Sequence, residues 1–159
     1  MTHTKTVHVP AAAAGSITLG EDLTVNRMGF GAMRLTGPGI WGPPRDRAEA
    51  IRVLQRAVEL GVNFIDTAAS YGPHVAEELI AEALHPYPGL VIATKGGLVR
   101  PGPNQWIEHG RPEHLRRQLE GSLSRLRLDR IDLWQLHPST PKSRPRSSSA
   151  PCRSFSMKV

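Results

Sequence analysis

The chain has 159 residues, of which 39% are hydrophobic and 21% charged, as is typical of a globular protein rather than a fibre or a wholly disordered chain. The net charge of +6 comes largely from residues 138–159, which hold five of the twenty basic residues and no acid, so we expect no sequence-specific nucleic-acid binding. A single cysteine and the lack of a secretory signal or membrane-length apolar stretch exclude a disulfide framework and a membrane protein, and predict a cytoplasmic location.

The first third of the chain predicts a hairpin, a strand and a helix. Residues 1–15 are expected to be flexible, and SITLGEDLTVN then indicates two short strands around a turn. A third strand is predicted from about Arg27 to Met33. Asp46 and Glu49 form a capping box and Gly61 supplies a stop, so a helix is predicted over 46–60.

The segments that follow alternate between strand and helix patterns. VNFID and LVIATK are apolar strand patterns, separated by a helix from Pro73 to about Pro86. Residues 96–110 are rich in glycine and proline and predict a long loop, after which a helix begins at Pro112 and IDLWQLH forms a further strand. This order predicts an α/β fold, a partial (β/α)8 TIM barrel comprising the first four βα units and an N-terminal β-hairpin.

Three of these strand patterns end in, or lead directly to, side chains that can carry chemistry. Asp66 ends VNFID with Tyr71 five positions later, Lys95 ends LVIATK, and His137 ends IDLWQLH. Parallel strands deliver such residues to a shared edge of the sheet. Each residue alone has a structural alternative: an N-cap for the aspartate, half-buried packing for the tyrosine and a solvated loop charge for the lysine. The combination, in this order, predicts an active site.

The order and flanks of these residues resemble those of a known enzyme family. RMGFGAMRL, GVNFIDTAASYG, LVIATKGG and LEGSLSRLRLDRIDLWQLH are similar to the N-terminal half of the aldo-keto reductases over residues 16–137. LTGPGIWGPPRDR and SYGPH also resemble the bacterial branch that contains pyridoxal reductase-like enzymes. The resemblance implies an NADPH-dependent oxidoreductase that reduces a small-molecule aldehyde or ketone to an alcohol.

The resemblance also assigns a role to each of the four residues. Tyr71 would be the proton donor, and Lys95 would be the cation that lowers the pKa of its phenol toward neutrality. Asp66 would hold the lysine ammonium in place, and His137 would bind and orient the carbonyl oxygen.

Further residues are candidates for binding rather than for catalysis. The resemblance places four residues at the cofactor: Gly31, Ala32, Met33 and Asp66. A simple strand-end turn is the alternative for residues 31–33. Trp41 and Trp106 are predicted to line a substrate pocket, with packing against the loops as the alternative. The histidines lack metal-ligand spacing, so no metal site is expected.

The composition changes after His137. Residues 138–159 are rich in proline, serine and arginine, and predict a disordered basic tail. One hypothesis is that the tail results from a frameshift. Codons can be chosen for residues 138–144 such that a shifted reading frame encodes Val-Asp-Pro-Glu-Val-Pro, which resembles the usual continuation of the family.

On this hypothesis we expect a truncated product with impaired or absent activity. The alternative function is a non-catalytic half-barrel that associates with itself or with another chain; weak, salt-sensitive binding of the tail to nucleic acid or anionic membrane is a third.

Overall fold

A computed structural model describes residues 10–137 of the chain. Its centre is a four-stranded sheet in the order β3-β4-β5-β8, in which every pairing is parallel. The four strands are β3 (Phe30–Gly31), β4 (Phe64–Asp66), β5 (Val91–Gly96) and β8 (Leu133–Leu136). The predicted α/β architecture, a parallel sheet built from βα units, is confirmed.

The N-terminal hairpin consists of β1 (Ser16–Leu19) and β2 (Leu23–Asn26), which pair antiparallel as predicted. Before it, Ala11–Ala14 form a 3-10 turn whose Ala11 N–H donates to the Leu60 carbonyl at 2.5 Å, so the end of the segment expected to be flexible has regular structure.

The third strand is much shorter than predicted. It is limited to Phe30–Gly31, because Ala32–Leu35 turn into a 3-10 helix. The i,i+3 spacing of this turn points Ala32 and Leu35 the same way, and both side chains are buried in the core.

Three helices connect the strands: α1 (Arg47–Glu59), α2 (Val75–Leu84) and α3 (Pro112–Leu126). Asp46 caps α1 as its side chain accepts a hydrogen bond from Glu49 N at 2.9 Å. Helix α2 begins later than the predicted Pro73, because His74 has a left-handed backbone (φ 75°) that a helix cannot include.

The segment predicted as a long loop, residues 96–110, contains a small hairpin. Its strands β6 (Leu98–Val99) and β7 (Ile107–Glu108) pair antiparallel. Each strand has only two residues, too few to produce a recognisable alternation.

The two faces of the parallel sheet have different surroundings. On one face, side chains such as Ile65 and Ile92 pack against the helices in the main hydrophobic core, with Leu54 and Leu79 from the helices fully buried. The other face carries alternate residues of the same strands, among them Lys95. The site described below lies on this second face, at the carboxyl ends of the strands.

Within residues 10–137, no helix is long and apolar enough to cross a lipid bilayer. The predictions made for residues 1–9 and for the basic tail, including the frameshift and the single cysteine, Cys152, lie outside the described residues.

Candidate active site

Asp66 and Lys95 form an ion pair at the carboxyl ends of β4 and β5. In the parallel register Asp66 lies beside Ala93, so Lys95 follows two positions further on the same face of the sheet. The Lys95 ammonium is 2.6 Å from both carboxylate oxygens of Asp66 and donates to the Thr67 carbonyl at 2.9 Å. The side chain of Asp66 remains 33% exposed and that of Lys95 14%, so the pair is accessible from one side.

Tyr71 lies next to this pair, in the loop that follows β4. Its ring centroid is 5.4 Å from Lys95 Nζ, and the residue is only 6% exposed. Burial raises the pKa of the Tyr71 phenol above its ordinary value of 10, and the carboxylate of Asp66 raises the pKa further. The predicted lowering of the Tyr71 pKa by Lys95 is therefore wrong, because burial has the largest effect on this phenol and the Asp66 carboxylate adds to it. The phenol keeps its proton at neutral pH.

His137 completes the group from the end of β8. Its backbone N–H donates to the Gly96 carbonyl at 2.7 Å, and its imidazole meets the Tyr71 ring edge-on, with centroids 5.7 Å apart. Burial lowers the pKa of His137 to about 4, with a further lowering from the nearby Lys95 ammonium that Asp66 partly offsets. The imidazole is consequently neutral at physiological pH. The structure thus brings the four residues predicted from the strand ends into one cluster.

Residues 31–33 differ in what they present to this cluster. Gly31 lies directly beside Asp66 in the sheet register, and a side chain placed there would meet no heavy atom within 4 Å. Its φ of −93° does not itself require glycine. The Ala32 side chain is fully buried in the core, and Met33 packs against the core. Both side chains therefore contribute to the packing of the fold.

Trp41 and Trp106 come together around a residue that the sequence did not single out, Arg100. Its guanidinium carbon lies 3.5 Å from the Trp106 ring centroid and 5.8 Å from that of Trp41, and Trp106 lies 6.3 Å from the His137 ring. Both tryptophans are half-buried, and Trp41 forms an isolated β-bridge with Gly72, the residue after Tyr71.

Arg100 ties three loops together beneath the tryptophans. It donates to the backbone carbonyls of Gly39, Ser70 and Gln105 at 2.9, 2.7 and 2.8 Å, and it is only 7% exposed. No local pattern marks an arginine whose partners lie up to 61 positions away. The signal that the sequence offered was two tryptophans in separate glycine-rich loops, whose rings contact the same cation.

Ser70 is the second residue that the sequence did not single out. Its hydroxyl lies 3.3 Å from His137 Nδ1 and its side chain is buried. Its position directly before Tyr71 is the one signal that could have drawn attention to it. Among residues 10–137, no group of three histidine, cysteine, aspartate or glutamate side chains is arranged to hold a metal ion.

Comparison with known proteins gives consistent results. A family model described as the aldo/keto reductase family matches residues 27–149. Over 134 residues the chain is 58% identical to a protein of Schizosaccharomyces pombe named an uncharacterized oxidoreductase, covering 84% of this chain and 44% of that protein. It is 46% identical over 125 residues to pyridoxine 4-dehydrogenase of Escherichia coli, covering 78% and 43%.

Solved structures give the same picture. An aldo-keto reductase from Bacillus halodurans in its holo form superposes with a TM-score of 0.67 at 34% identity, covering 79% of this chain and 40% of that chain. The glycerol dehydrogenase of Gluconobacter oxydans gives 0.68 at 33% identity, covering 82% and 41%. The chain therefore spans less than half the length of each of these four proteins, and its fold corresponds to part of their barrel.

Proposed function

Because this chain belongs to the aldo/keto reductase family, we propose that its strand-end cluster serves an NADPH-dependent reduction of aldehydes or ketones to alcohols. The observation that carries the proposal is the geometry of one ammonium. Lys95 Nζ is 2.6 Å from both oxygens of Asp66 and 5.4 Å from the Tyr71 ring, and His137 packs against the same ring. A phenol, an ammonium and a neutral imidazole around one point suit a reaction in which charge develops on a single oxygen.

The proton is assigned to Tyr71. Its raised pKa keeps the phenol protonated near neutrality, which is the form that a proton donor needs. On transfer of the Oη proton to the carbonyl oxygen, the Lys95 ammonium, 5.4 Å from the centroid of the ring, would stabilise the phenolate that forms. Asp66 holds that ammonium in place, so the charge arrangement exists before the reaction begins.

His137 is assigned to the carbonyl oxygen. Its pKa of about 4 keeps the imidazole neutral, so it donates a hydrogen bond without adding a second positive charge beside Lys95. A donor fixed at the end of β8 orients the carbonyl, and orientation is itself a large part of such catalysis.

The residues beside Asp66 fit the nicotinamide end of a dinucleotide. A side chain at Gly31 would meet no heavy atom within 4 Å, so the backbone next to the acid–lysine pair is open to a ligand. NADPH held there would supply the hydride for the carbonyl carbon. For the substrate we propose an aromatic aldehyde, because the Trp106 ring lies 6.3 Å from that of His137 and Trp41 forms a β-bridge with Gly72, the residue after Tyr71. The relative named pyridoxine 4-dehydrogenase supports the same class.

The test uses the two tyrosines of the chain. The purified 159-residue chain is mixed at high concentration with NADPH and pyridoxal, and NADPH absorbance is followed. Tyr71→Phe should lower turnover by at least about 100-fold, as expected for loss of a general acid. Tyr87→Phe is the matched control, because the Tyr87 hydroxyl donates to the Leu126 carbonyl in the core and should affect stability alone. Turnover that survives in Tyr71→Phe would contradict the proposal.

Exposed apolar surface favours a second candidate, a non-catalytic half-barrel that associates with another chain. Within residues 10–137, strands β3 and β8 have one neighbour each, and Leu136 on β8 is 58% exposed. A groove of about 770 Å³ beside β3 is lined in part by Met28, Phe30 and Val53. A stable dimer in sedimentation, combined with no turnover and no NADPH binding, would favour this candidate over the reductase.

A further inference from the structure

Among residues 10–137, the imidazole of His137 has a hydrogen-bond partner at one nitrogen only. Its Nδ1 lies 3.3 Å from the hydroxyl oxygen of Ser70, a residue on the loop between β4 and α2. Which nitrogen of a neutral imidazole carries the proton is set by the hydrogen bond that the other nitrogen makes. The direction of the Ser70 contact therefore decides what His137 can do.

The burial of Ser70 settles that direction. The residue is 4% exposed, so its hydroxyl proton has almost no access to water. Within residues 10–137, His137 Nδ1 is the one hydrogen-bond partner of this hydroxyl. If the imidazole donated to the serine oxygen instead, the hydroxyl proton would be buried without an acceptor, at a cost of about 1–3 kcal/mol. The serine hydroxyl therefore donates and Nδ1 accepts.

Ser70 is itself held firmly. Its carbonyl accepts a hydrogen bond from Nη1 of the buried Arg100 at 2.7 Å, and the same guanidinium binds the Gly39 and Gln105 carbonyls. The hydroxyl thus comes from a backbone fixed by a three-way clamp. A contact on a freely moving loop would hold the imidazole less strictly.

We propose that Ser70 is a positioning residue that fixes the tautomer of His137, so that Nε2 carries the imidazole proton and can donate a hydrogen bond to a carbonyl oxygen. The inference rests on the proposed function for what Nε2–H binds. The lowered pKa of His137 supports it, because a tautomer is defined only while the ring is neutral. No covalent step is involved.

The experiment reads the tautomer directly by nuclear magnetic resonance. The 159-residue chain is labelled with ¹⁵N-histidine and examined near neutral pH, with His137→Gln used to assign the signals of His137 among the seven histidines. The expected result is an acceptor-type shift at Nδ1 and a protonated Nε2. Ser70→Ala should move the tautomer ratio toward Nδ1–H by about threefold to tenfold, the equivalent of one net hydrogen bond. Ser70→Thr should restore the original ratio.

The control is Ser122→Ala, which removes a similarly buried serine hydroxyl from α3, where it accepts a hydrogen bond from Arg125 Nη2 at 3.4 Å. It should leave the His137 signals unchanged. A protonated Nδ1 in the unsubstituted chain overturns the proposal, as does an unchanged ratio in a folded Ser70→Ala variant. If Ser70→Ala does not fold, the unsubstituted chain and Ser70→Thr still decide the question.

The outcome is independent of turnover. A chain with protonated Nε2 that never oxidises NADPH contradicts the proposed function and leaves the tautomer assignment intact. A chain that oxidises NADPH while Nδ1 is protonated contradicts the tautomer assignment and leaves the proposed function intact.

Discussion

Two ion pairs, Glu77–Arg125 and Asp66–Lys95, lie on opposite faces of the same strand, β5. On the helix side of β5, Thr94 donates to Glu77 at 2.6 Å, and Arg125 binds the other oxygen of that carboxylate at 2.6 Å. On the opposite face the next residue, Lys95, binds Asp66. The Glu77 side chain is fully buried, whereas that of Asp66 is 33% exposed. The Glu77–Arg125 pair is therefore the sealed pair, with a carboxylate that water does not reach, and the Asp66–Lys95 pair is the open pair. The difference indicates that the first pair fixes how α2 and α3 pack and that the second can meet a ligand.

The largest expected effect comes from breaking the sealed pair. Arg125→Met would leave the buried Glu77 carboxylate with Thr94 as its one side-chain partner among residues 10–137, and should lower the free energy of unfolding by about 3–5 kcal/mol. Urea unfolding followed by circular dichroism measures it. Arg116→Met, an exposed arginine on the same helix, is the matched control and should change stability by less than about 0.5 kcal/mol. Equal losses in the two variants would mean that the Glu77 pair has no special structural role.

Neither of the residues paired in this sealed contact was recognisable in the sequence, and the reason is physical. Glu77 lies in the first turn of α2, where an acid is favourable for the helix dipole whatever else it binds. Arg125 lies 48 positions away, and only the packing of α2 against α3 joins them. The open pair was predictable because both of its members end strands, and parallel strands bring their ends to one edge.

The same distinction applies to the rest of the fold. Helix α1 was predicted almost to the residue, because its start depends on Asp46 and Glu49, three positions apart. The β6–β7 hairpin and the Arg100 clamp were missed, because they depend on contacts between segments that are distant or very short. The pKa of Tyr71 was predicted in the wrong direction, because its neighbours were foreseeable but its burial was not.

Breaking the open pair should cost less than breaking the sealed pair. In Lys95→Met the Asp66 carboxylate keeps contact with water, so we expect a loss of about 1–2 kcal/mol in the same unfolding experiment. A loss of stability as large as that of Arg125→Met would show that the face of the sheet with Lys95 and Asp66 is as inaccessible to water as the helix side. It would contradict ligand access to Asp66.

The protonation of His137 should have a smaller effect that depends on pH. Its folded pKa of about 4 lies below the ordinary value of 6.5, so folding favours the neutral ring. This contribution to stability is complete above about pH 6.5 and decreases as the pH falls toward 4. Allowing for solvent screening, we expect about 1 kcal/mol. The measurement compares unfolding at pH 7 and pH 4.5 in the unsubstituted chain and in His137→Asn, and identical pH dependence in both would refute the assignment.

The smallest effect is expected from an ion pair that belongs to neither face. Arg47 on α1 and Glu82 on α2 are in contact, but their side chains are 46% and 45% exposed. A double-mutant cycle with Arg47→Ala and Glu82→Ala should give a coupling energy of about 0.2–1 kcal/mol that decreases with added salt. Arg47 is also the first residue of α1, where the helix dipole disfavours a cation, so its replacement alone should be close to neutral. The contrast between the two faces of β5 depends on the premise that the more exposed an ion pair is, the less it contributes to stability. A coupling energy above about 2 kcal/mol for this exposed pair would contradict that premise.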